Sequence, residues 1–599
     1  MMNDQPTVDA NRQIRPSLIE SAAFLALAVL LIAFALFYLL CTKAWHYQAV
    51  HVVEMTVYLL LAITFPLVIA GLVVTRRSHR EKRLIHPPMV IDPVKDAKCV
   101  SMAWAKSSIV LGYDIHGAPY QWPDSVRTQQ GIVLGMTGSG KTTLLKNVIS
   151  QDMMRRVGPP EDRHKIPLII FDGKGDLDFF HDLLPYVIAA DRLCDLRLIN
   201  PARPDLSCRY NPFHTEDDRY MEQVSMIFGS FNLSAEFFAK HQLTYLADIV
   251  RILHYAGAPF NFYDVMVAAL DEEVLREQIG KARSKMTLRN DLTQQRRLNF
   301  DMSVRNLLQS FEDRDRVEKI RGLLNECMTF LDDELSVITG PYEDMLSLDD
   351  VISQELILIV SLNINRNSDA VKALGKMLIQ QIQLTIGRRY ESEAERRRKN
   401  KPLCSVVLDE FAPFGYDQFA QILQTARGTN TAFLFSMQSL PQLLRVSKGF
   451  KEDVSSAPAT KMVLNTHDED TARYFIRASA EHKVQKRTFS LMRDELFGWE
   501  RFERGLSATE REEAEYRAED ERVKNMPKGQ VQVLMSDATR GTIHSHLHVR
   551  PPSDVALPDR EYQLLPRLKH SQVGTAGANL RFKNPELANS YGRRIQGRR

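Results

Sequence analysis

Eight residues limit what this 599-residue chain can fold into more than any others: Gly135-Met136-Thr137-Gly138-Ser139-Gly140-Lys141-Thr142. They match G-x-x-x-x-G-K-[ST] at every fixed position and stand between an apolar run, GIVL, and an amphipathic segment, TLLKNVI. A strand, a glycine-rich turn and a helix in that order are what a phosphate cradle needs. The glycines let backbone N–H groups turn inward around a β-phosphate, and the helix adds its positive N-terminal end. Lys141 is expected to reach the β- and γ-phosphates and the Thr142 hydroxyl to ligate Mg2+, with the binding segment running from Gly135 through Thr143. ATP and Mg2+ are the expected cofactors.

The rest of the chain supplies the sheet that such a turn requires. IPLIIFDGKGD (166–176), ELILIVSLNI (355–364), LCSVVLDEF (403–411) and TAFLFSMQS (431–439) are short apolar runs rich in β-branched residues, separated by helical patterns such as 369–390. Strand–helix alternation of this kind predicts an α/β fold whose parallel sheet is covered on both faces. Between 215 and 345 the pattern turns helical throughout. Ser234 is placed to cap a helix carrying Leu243, Leu246, Val250 and Leu253 and stopped by Gly257, and Ile320, Leu323, Leu324, Cys327 and Met328 form one apolar helix face. The expected organisation is a P-loop domain in two parts, 87–214 and 346–570, with an all-α domain (215–345) inserted. SIVLG and the turn at His116-Gly117 suggest a hairpin in the lead-in, 480–525 reads as charged and helical, and VQVLMSD with TIHSHLHVR reads as a closing hairpin. ESEAERRRKNK (391–401) reads as a solvated connection, and 571–599 as a loose basic tail ending in Arg593, Arg594, Arg598 and Arg599.

Residues 1–86 are of a different character. The uncharged apolar runs 21–41 and 55–75 are each long enough to cross a hydrocarbon core as a helix. Arg12 and Arg15 precede the first, whereas Arg76, Arg77, Arg80, Lys82 and Arg83 follow the second, so both flanks are expected on the cytoplasmic side. The expectation is a two-helix transmembrane hairpin, with the N-terminus and the ATPase domain in the cytoplasm. A net charge of +3 decides nothing about nucleic acid, and six scattered cysteines without a C-x-x-C pair suggest neither a zinc site nor a disulfide framework.

Hydrolysis needs a magnesium-ordering acid and a water activator besides the cradle. Two strands end in aspartate. Asp172 ends IIFD without an adjacent carboxylate, whereas Asp409 and Glu410 end SVVLDE as a pair. The pair is preferred: Asp409 for Mg2+ and Glu410 to polarise the attacking water. Asp172, Lys174 and Asp176 then read as a structural or subunit-contact turn. Gln438 ends the next strand, where its amide can sense a γ-phosphate. Arg427, in the turn before that strand, would in a ring reach a neighbour's ATP; otherwise it is a surface arginine paired locally. His544, His546 and His548 alternate along a strand and read as solvent-facing.

GMTGSGKTT, IIFDGKGD, the helical insertion, VVLDEFAPFG and ARGTNTAFLFSMQSLPQL, in this order after a two-span hairpin, resemble the type IV secretion coupling proteins of the TraD/TraG group used in bacterial conjugation. The resemblance implies a RecA-like domain with an all-α domain implicated in DNA or substrate recognition, assembled as a homohexamer at the bacterial inner membrane. It further implies ATP-driven transfer of single-stranded DNA with its relaxase to a type IV secretion channel. On matching positions Lys141, Thr142, Asp409 and Glu410 take the family's phosphate, magnesium and second-motif places, and Arg427 that of an arginine finger. The short basic end departs from the long acidic tail of some members. Two other readings stay open: a double-stranded DNA pump of the FtsK/HerA kind, and a membrane receptor for secretion substrates with a regulatory nucleotide site.

Overall fold

The computed structural model describes residues 89–599 apart from 160, 176, 216–217, 234–235, 364–367, 393–401, 480, 497–498, 538–540, 556–577 and 593–599, and of the N-terminal part Tyr58, Ala62, Thr64, Phe65 and Ile69, all helical. The chain divides into two units, Met1–Pro88 and Met89–Arg599. The apolar run 21–41 lies outside the described residues, as does 55–75 apart from those five. Among the described residues no helix is long and apolar enough to cross a membrane.

Fifteen strands are described in the second unit. β1 (Ser108–Asp114) and β2 (Pro119–Pro123) form the lead-in hairpin, followed by β3 (Gly131–Leu134) and a two-residue pair, β4 (Arg156–Val157) and β5 (His164–Lys165). Then come β6 (Leu168–Asp172), β7 (Leu196–Ile199), β8 (Ile357–Ser361), β9 (Cys404–Asp409), β10 (Thr431–Met437) and β11 (Thr460–Val463). β12 (Glu481–Leu496) and β13 (Trp499–Tyr516) pair only with each other, whereas β14 (Gln530–Asp537) and β15 (Gly541–Val549) return to the main sheet. The main sheet runs β2-β1-β15-β14-β11-β3-β10-β9-β6-β8-β7. Its strands from β11 to β7 are all parallel, and β14, β15, β1 and β2 extend it antiparallel.

Burial on both faces explains the continuous apolar runs. β6, β8, β9 and β10 are buried along their whole length, as expected for parallel strands sandwiched by helices. Successive side chains alternate between two cores. Val133, Ile170, Val407 and Leu434 pack with Leu144, Leu145 and Val148 of α2 (Lys141–Met154) and Leu183 of α3 (Leu177–Ala189). Their neighbours Ile132, Phe171, Val406 and Phe435 pack on the other face with Leu374, Met377 and Leu378 of a long helix, Ser368–Glu391. In the lead-in, α1 (Pro93–Ala105) was not evident from the β-rich pattern. It starts where Asp92 accepts the Val94 N–H at 3.0 Å with proline in the first turn, and it packs Val100 and Ala103 on β1.

The helical insertion leaves the sheet after β7 and returns beside its point of departure, where Arg209 and Met345 form a parallel bridge. It holds α4 (Tyr220–Ser230), α5 (Glu236–Ala256), α6 (Phe262–Leu270), α7 (Glu272–Leu288), α8 (Gln294–Phe311), α9 (Arg316–Thr329) and α10 (Asp333–Thr339). Leu246, Val250, Leu253, Ile320, Leu323, Leu324 and Cys327 are buried in its core. Gly257, at φ +70°, ends α5 with its N–H on the Leu253 and His254 carbonyls, and Ser234 lies outside the described residues.

Two expectations fail here. Residues 481–516, read as helical, form the β12–β13 hairpin, with register from Glu481 opposite Tyr516 to Leu496 opposite Trp499. Local propensity for helix in a segment rich in Glu, Arg and Ala is a weak prior, and pairing with a second strand overrides it. Within the tail expected to be loose, residues 578–592 instead lie against α6 and α7, fixed by hydrogen bonds to Asp264 and Asp271. Arg593, Arg594, Arg598 and Arg599 lie outside the described residues.

Candidate nucleotide site

The parallel strands all end on one edge of the sheet, and the predicted motifs gather there because each follows directly on a strand. β3 runs into the glycine-rich turn, β9 into Asp409-Glu410 and β10 into Gln438. β10 lies between β3 and β9 in parallel register, with Met437 opposite Leu134 and Phe435 opposite Leu408. Open α/β sheets bind ligands at this carboxyl edge.

The turn 135–140 is shaped by its glycines. Gly138 and Gly140 have φ of +81° and +108°, in the left-handed region, and a Cβ on Gly135 would stand 2.9 Å from Leu464 Cβ and 3.0 Å from Ser139 Oγ. Neighbouring chain braces the turn from outside: Met136 N–H donates to the Asn465 carbonyl at 2.9 Å, and Gly529 N–H donates to the Ser139 carbonyl at 3.1 Å. Lys141 opens α2 and is 4% exposed. Its Nζ donates to the Gly135 carbonyl at 2.6 Å and lies 3.5 Å from Glu410 Oε1. Burial holds its pKa below the ordinary lysine value, although Glu410 and Asp409 pull the other way. Thr142 and Thr143 follow in the first turn of α2, half-buried; Met136, Thr137 and Gly138 are exposed at the rim.

Asp409 and Glu410 are both buried. Ser436 Oγ donates to Asp409 Oδ1 at 2.5 Å, and Glu410 N–H reaches the same oxygen at 3.1 Å. Glu410 has φ +52°, a conformation that costs a non-glycine residue on the order of 1 kcal/mol. Gln438 Nε2 donates to Glu410 Oε1 at 3.3 Å. Lys174 Nζ stands 4.0 Å from Asp409 Oδ2 and 3.9 Å from Glu410 Oε1. Lys141, Lys174, Asp409, Glu410, Ser436 and Gln438 thus make one cluster beside the glycine turn, with two ammonium groups and two carboxylates.

Asp172 is at the same edge but its oxygens are engaged in the turn: Oδ1 accepts the Lys174 N–H at 3.0 Å and Oδ2 the Ser361 hydroxyl at 3.3 Å. Asp176 lies outside the described residues. Sequence reasoning passed over Lys174 as part of a turn, and it missed Ser436. The signal for Ser436 was a hydroxyl near the end of an apolar strand, fully buried.

Arg427 is not in this cluster. It lies in the turn before β10, exposed, at the opposite edge of the sheet, where Asn430 accepts the Cys404 N–H at the start of β9. Seven residues of β10 separate the two edges, about 20 Å at ~3.3 Å per residue. The three histidines of β15 are not solvent-facing either. His544 and His546 pair with Gln532 and Gln530 at 3.0 and 2.8 Å, His548 is buried, and burial pushes the His544 pKa down to about 4. The reason is that this side of the strand packs against the helix Glu469–Ala478, whose Phe475 meets the His544 ring edge-on. Among the described residues no group of three or more His, Cys, Asp or Glu is placed to hold a metal ion by itself.

The family model for type IV secretory system conjugative DNA transfer matches residues 168–518. The type 4 coupling protein DotL of Legionella pneumophila is 22% identical over 478 residues, covering 71% of this chain, and the chain spans 59% of the length of that relative. Among solved structures, the bacterial conjugative coupling protein TrwBdeltaN70 in its unbound monoclinic form overlays with a TM-score of 0.52 at 12% identity, covering 80% of this chain and 94% of that one. TrwB in complex with ADP and Mg2+ gives a TM-score of 0.46 at 14% identity over 76% of this chain and 93% of that one. At the first of these likenesses the shared feature is the fold, a TrwB-like α/β architecture with a large mixed sheet.

Proposed function

The chain belongs to the type IV secretory system conjugative DNA transfer family, and on that premise we propose that it is a membrane-anchored coupling ATPase that recruits single-stranded DNA with bound relaxase to a secretion channel. The observation that carries the reading is the cluster at the carboxyl edge of the sheet: a buried Lys141 between the Gly135 carbonyl and Glu410, with Asp409 and Gln438 beside it. A folded protein gains nothing by burying an aspartate, a strained glutamate and an ammonium group together unless the site has a use for them.

The residues fit ATP and Mg2+. Among the described residues Ser139 Oγ is buried without a hydrogen-bond partner, and the cradle closes if Gly135 gains a Cβ. Residues Gly135 to Thr143 would hold the phosphates through the turn and Lys141, and Thr142 and Asp409 would hold the metal. Bound there, the nucleotide supplies the phosphoanhydride bond whose cleavage drives movement. Ser436 keeps Asp409 in one orientation by its hydroxyl. Glu410 Oε1 is the atom that takes a proton from water, and Gln438 Nε2 orients it. Lys174 adds positive charge on the same side. With a nucleotide bound, Lys141 would hold phosphate oxygens in place of the Gly135 carbonyl and Glu410, which would leave Glu410 free to act as a base.

Arg427, a strand's length from its own cluster, serves a neighbouring subunit's site in a homohexamer. The 21–41 and 55–75 runs anchor the chain in the bacterial inner membrane, and the helical insertion meets the cargo. DNA contact is expected to be sequence-tolerant and made to phosphates. The test is ATP hydrolysis by the full-length protein in lipid, with single- or double-stranded DNA, against Lys141→Ala and Glu410→Gln. Stimulation by single strands that falls steeply with salt and is lost in both variants is the expected result. Preference for duplex would move the assignment to a double-stranded DNA pump. Binding of ATP without turnover in any condition would leave a receptor with a regulatory nucleotide.

A further inference from the structure

Residues 578–592 follow a 22-residue interval after Val555 and settle on the all-α domain, far in sequence from everything they touch. The contact is made by two helix-capping carboxylates, each shared between its own helix and the incoming segment. Asp264, fully buried, belongs to a capping box with Asn261 at the start of α6; its Oδ2 accepts the Asn261 N–H and the Tyr342 hydroxyl, and its Oδ1 accepts Leu580 N–H at 2.8 Å. Asp271, the cap of α7, gives Oδ1 to the Glu273 and Val274 N–H groups and Oδ2 to those of Lys583 and Asn584, at 2.8 and 2.9 Å. Tyr342 Oη accepts the Asn579 N–H at 2.9 Å. Four backbone N–H groups of the segment are therefore read by three side chains of the domain.

Four side chains add selectivity. The Asn579 amide donates to the Pro259 carbonyl at 2.6 Å, Leu580 is 8% exposed, and Lys583 Nζ lies 3.3 Å from Glu273 and 3.1 Å from Glu277. Phe582 meets the Tyr263 ring edge-on. By contrast Asn579, Arg581, Lys583, Asn584, Pro585 and Glu586 are exposed. Leu580 is buried and Phe582, Leu587 and Tyr591 are partly buried against the domain, while most of the other residues of the strip are exposed; a hydrogen-bonded backbone with a few apolar anchors is how a protein holds a peptide.

We propose that this face of the all-α domain is a peptide-binding site whose resident ligand is the chain's own residues 578–592, and that it takes in exchange an extended peptide of the same chemistry, Asn-Leu-Xaa-Xaa-Lys-Asn, from a second copy of this chain. The interval 556–577 spans up to about 70 Å when extended, enough to carry the segment to a neighbouring molecule. The inference does not rest on the nucleotide site or on the cargo.

The test uses full-length protein in detergent and a fluorescent synthetic peptide of residues 576–592, standing for the second copy's segment, with binding read by anisotropy. Leu580→Asp in the protein weakens the resident segment and should raise affinity for the added peptide at least tenfold over the unsubstituted protein; adding Asp271→Ala to it should abolish that gain. Asn579→Ala, a milder change at an exposed position, should give a smaller gain of the same sign. ATP hydrolysis should be unchanged in the Leu580→Asp protein, which separates this site from the nucleotide cluster. If neither the Leu580→Asp nor the Asn579→Ala protein binds the peptide more tightly, or if Leu580→Asp prevents folding, the segment is an integral part of the domain and the proposal is overturned.

Discussion

Replacing Asp152 by alanine should destabilise the ATPase unit by about 3–5 kcal/mol, although this residue lies eleven positions beyond Lys141 on the same helix and touches no part of the nucleotide cluster. Its carboxylate is fully buried between two guanidinium groups. Arg127 donates to both its oxygens at 2.8 and 2.5 Å, and Arg155 donates to Oδ1 from Nε at 3.1 Å and from Nη2 at 2.9 Å. Both arginines are themselves about as buried, at 1% and 2% exposed, and their other carboxylate partner is Asp124. Two positive and two negative charges balance. Removing Asp152 leaves one cation uncompensated in an apolar interior, and this penalty, more than the loss of the attraction itself, sets the magnitude. Burial by itself would raise the Asp152 pKa, but Arg127 and Arg155 more than offset it and hold it below the usual 3.8. Its contribution is therefore present above that value and lost as pH falls below it. Urea unfolding of the full-length protein in detergent, followed by tryptophan fluorescence, measures the effect, with Trp122 a local reporter because the Arg127 guanidinium lies 5.4 Å from its ring. The double variant Arg127→Met, Asp152→Ala should cost less than Asp152→Ala plus Arg127→Met. A loss below about 1 kcal/mol for Asp152→Ala, or strict additivity in the double variant, would refute the argument that an unpaired buried charge dominates.

Three further outcomes are expected. Ser436→Ala removes a hydrogen bond to an ionised carboxylate, worth about 1.5–3 kcal/mol, so kcat/KM for ATP should fall roughly ten- to hundredfold and the Mg2+ requirement should rise, with no comparable loss of stability; unchanged kinetics would remove Ser436 from the site. Arg427→Ala and Glu410→Gln should each abolish most turnover, yet mixing the two proteins should restore part of it, because a subunit with an intact base then meets a neighbour with an intact arginine; no recovery on mixing would place Arg427 outside catalysis. Asp264 has its pKa raised to about 6 by burial, against the opposing hydrogen bonds from Tyr342 and the Leu580 and Asn261 N–H groups, so this group favours the folded state below about 4 and that contribution is lost as pH rises through 6. The neighbouring phenols of Tyr263 and Tyr342 are held above the ordinary tyrosine value by burial, so they do not titrate in that window. Asp264→Asn should flatten the difference in unfolding free energy between pH 4 and 6.5 relative to the unsubstituted protein, and equal slopes in the two proteins would contradict the assignment.

What the amino-acid order determined unaided is whatever neighbouring residues decide together. The cradle is contiguous: strand, glycines, lysine and helix follow one another from Gly131 to Met154, and each conformation depends on the residues beside it. Buried strands and helix faces were legible for the same reason, since covering both sides of β6, β9 and β10 demands continuous apolar runs, and a half-buried helix demands the spacing seen at Ile320, Leu323, Leu324 and Cys327. Asp409, Glu410 and Gln438 were visible as polar residues ending such runs. The family resemblance rests on that same order. Only the tertiary structure put Ser436 against Asp409 and Lys174 beside both carboxylates, because these meetings come from the register of β10 with β9 and the adjacency of β6 to β9. It likewise decided that Arg427 stands at the far edge of the sheet from its own phosphate turn, a consequence of strand direction. The hairpin 481–516 and the docking of 578–592 escaped the sequence because each is stabilised by partners remote along the chain: a second strand in one case, and in the other two capping carboxylates more than 300 residues away.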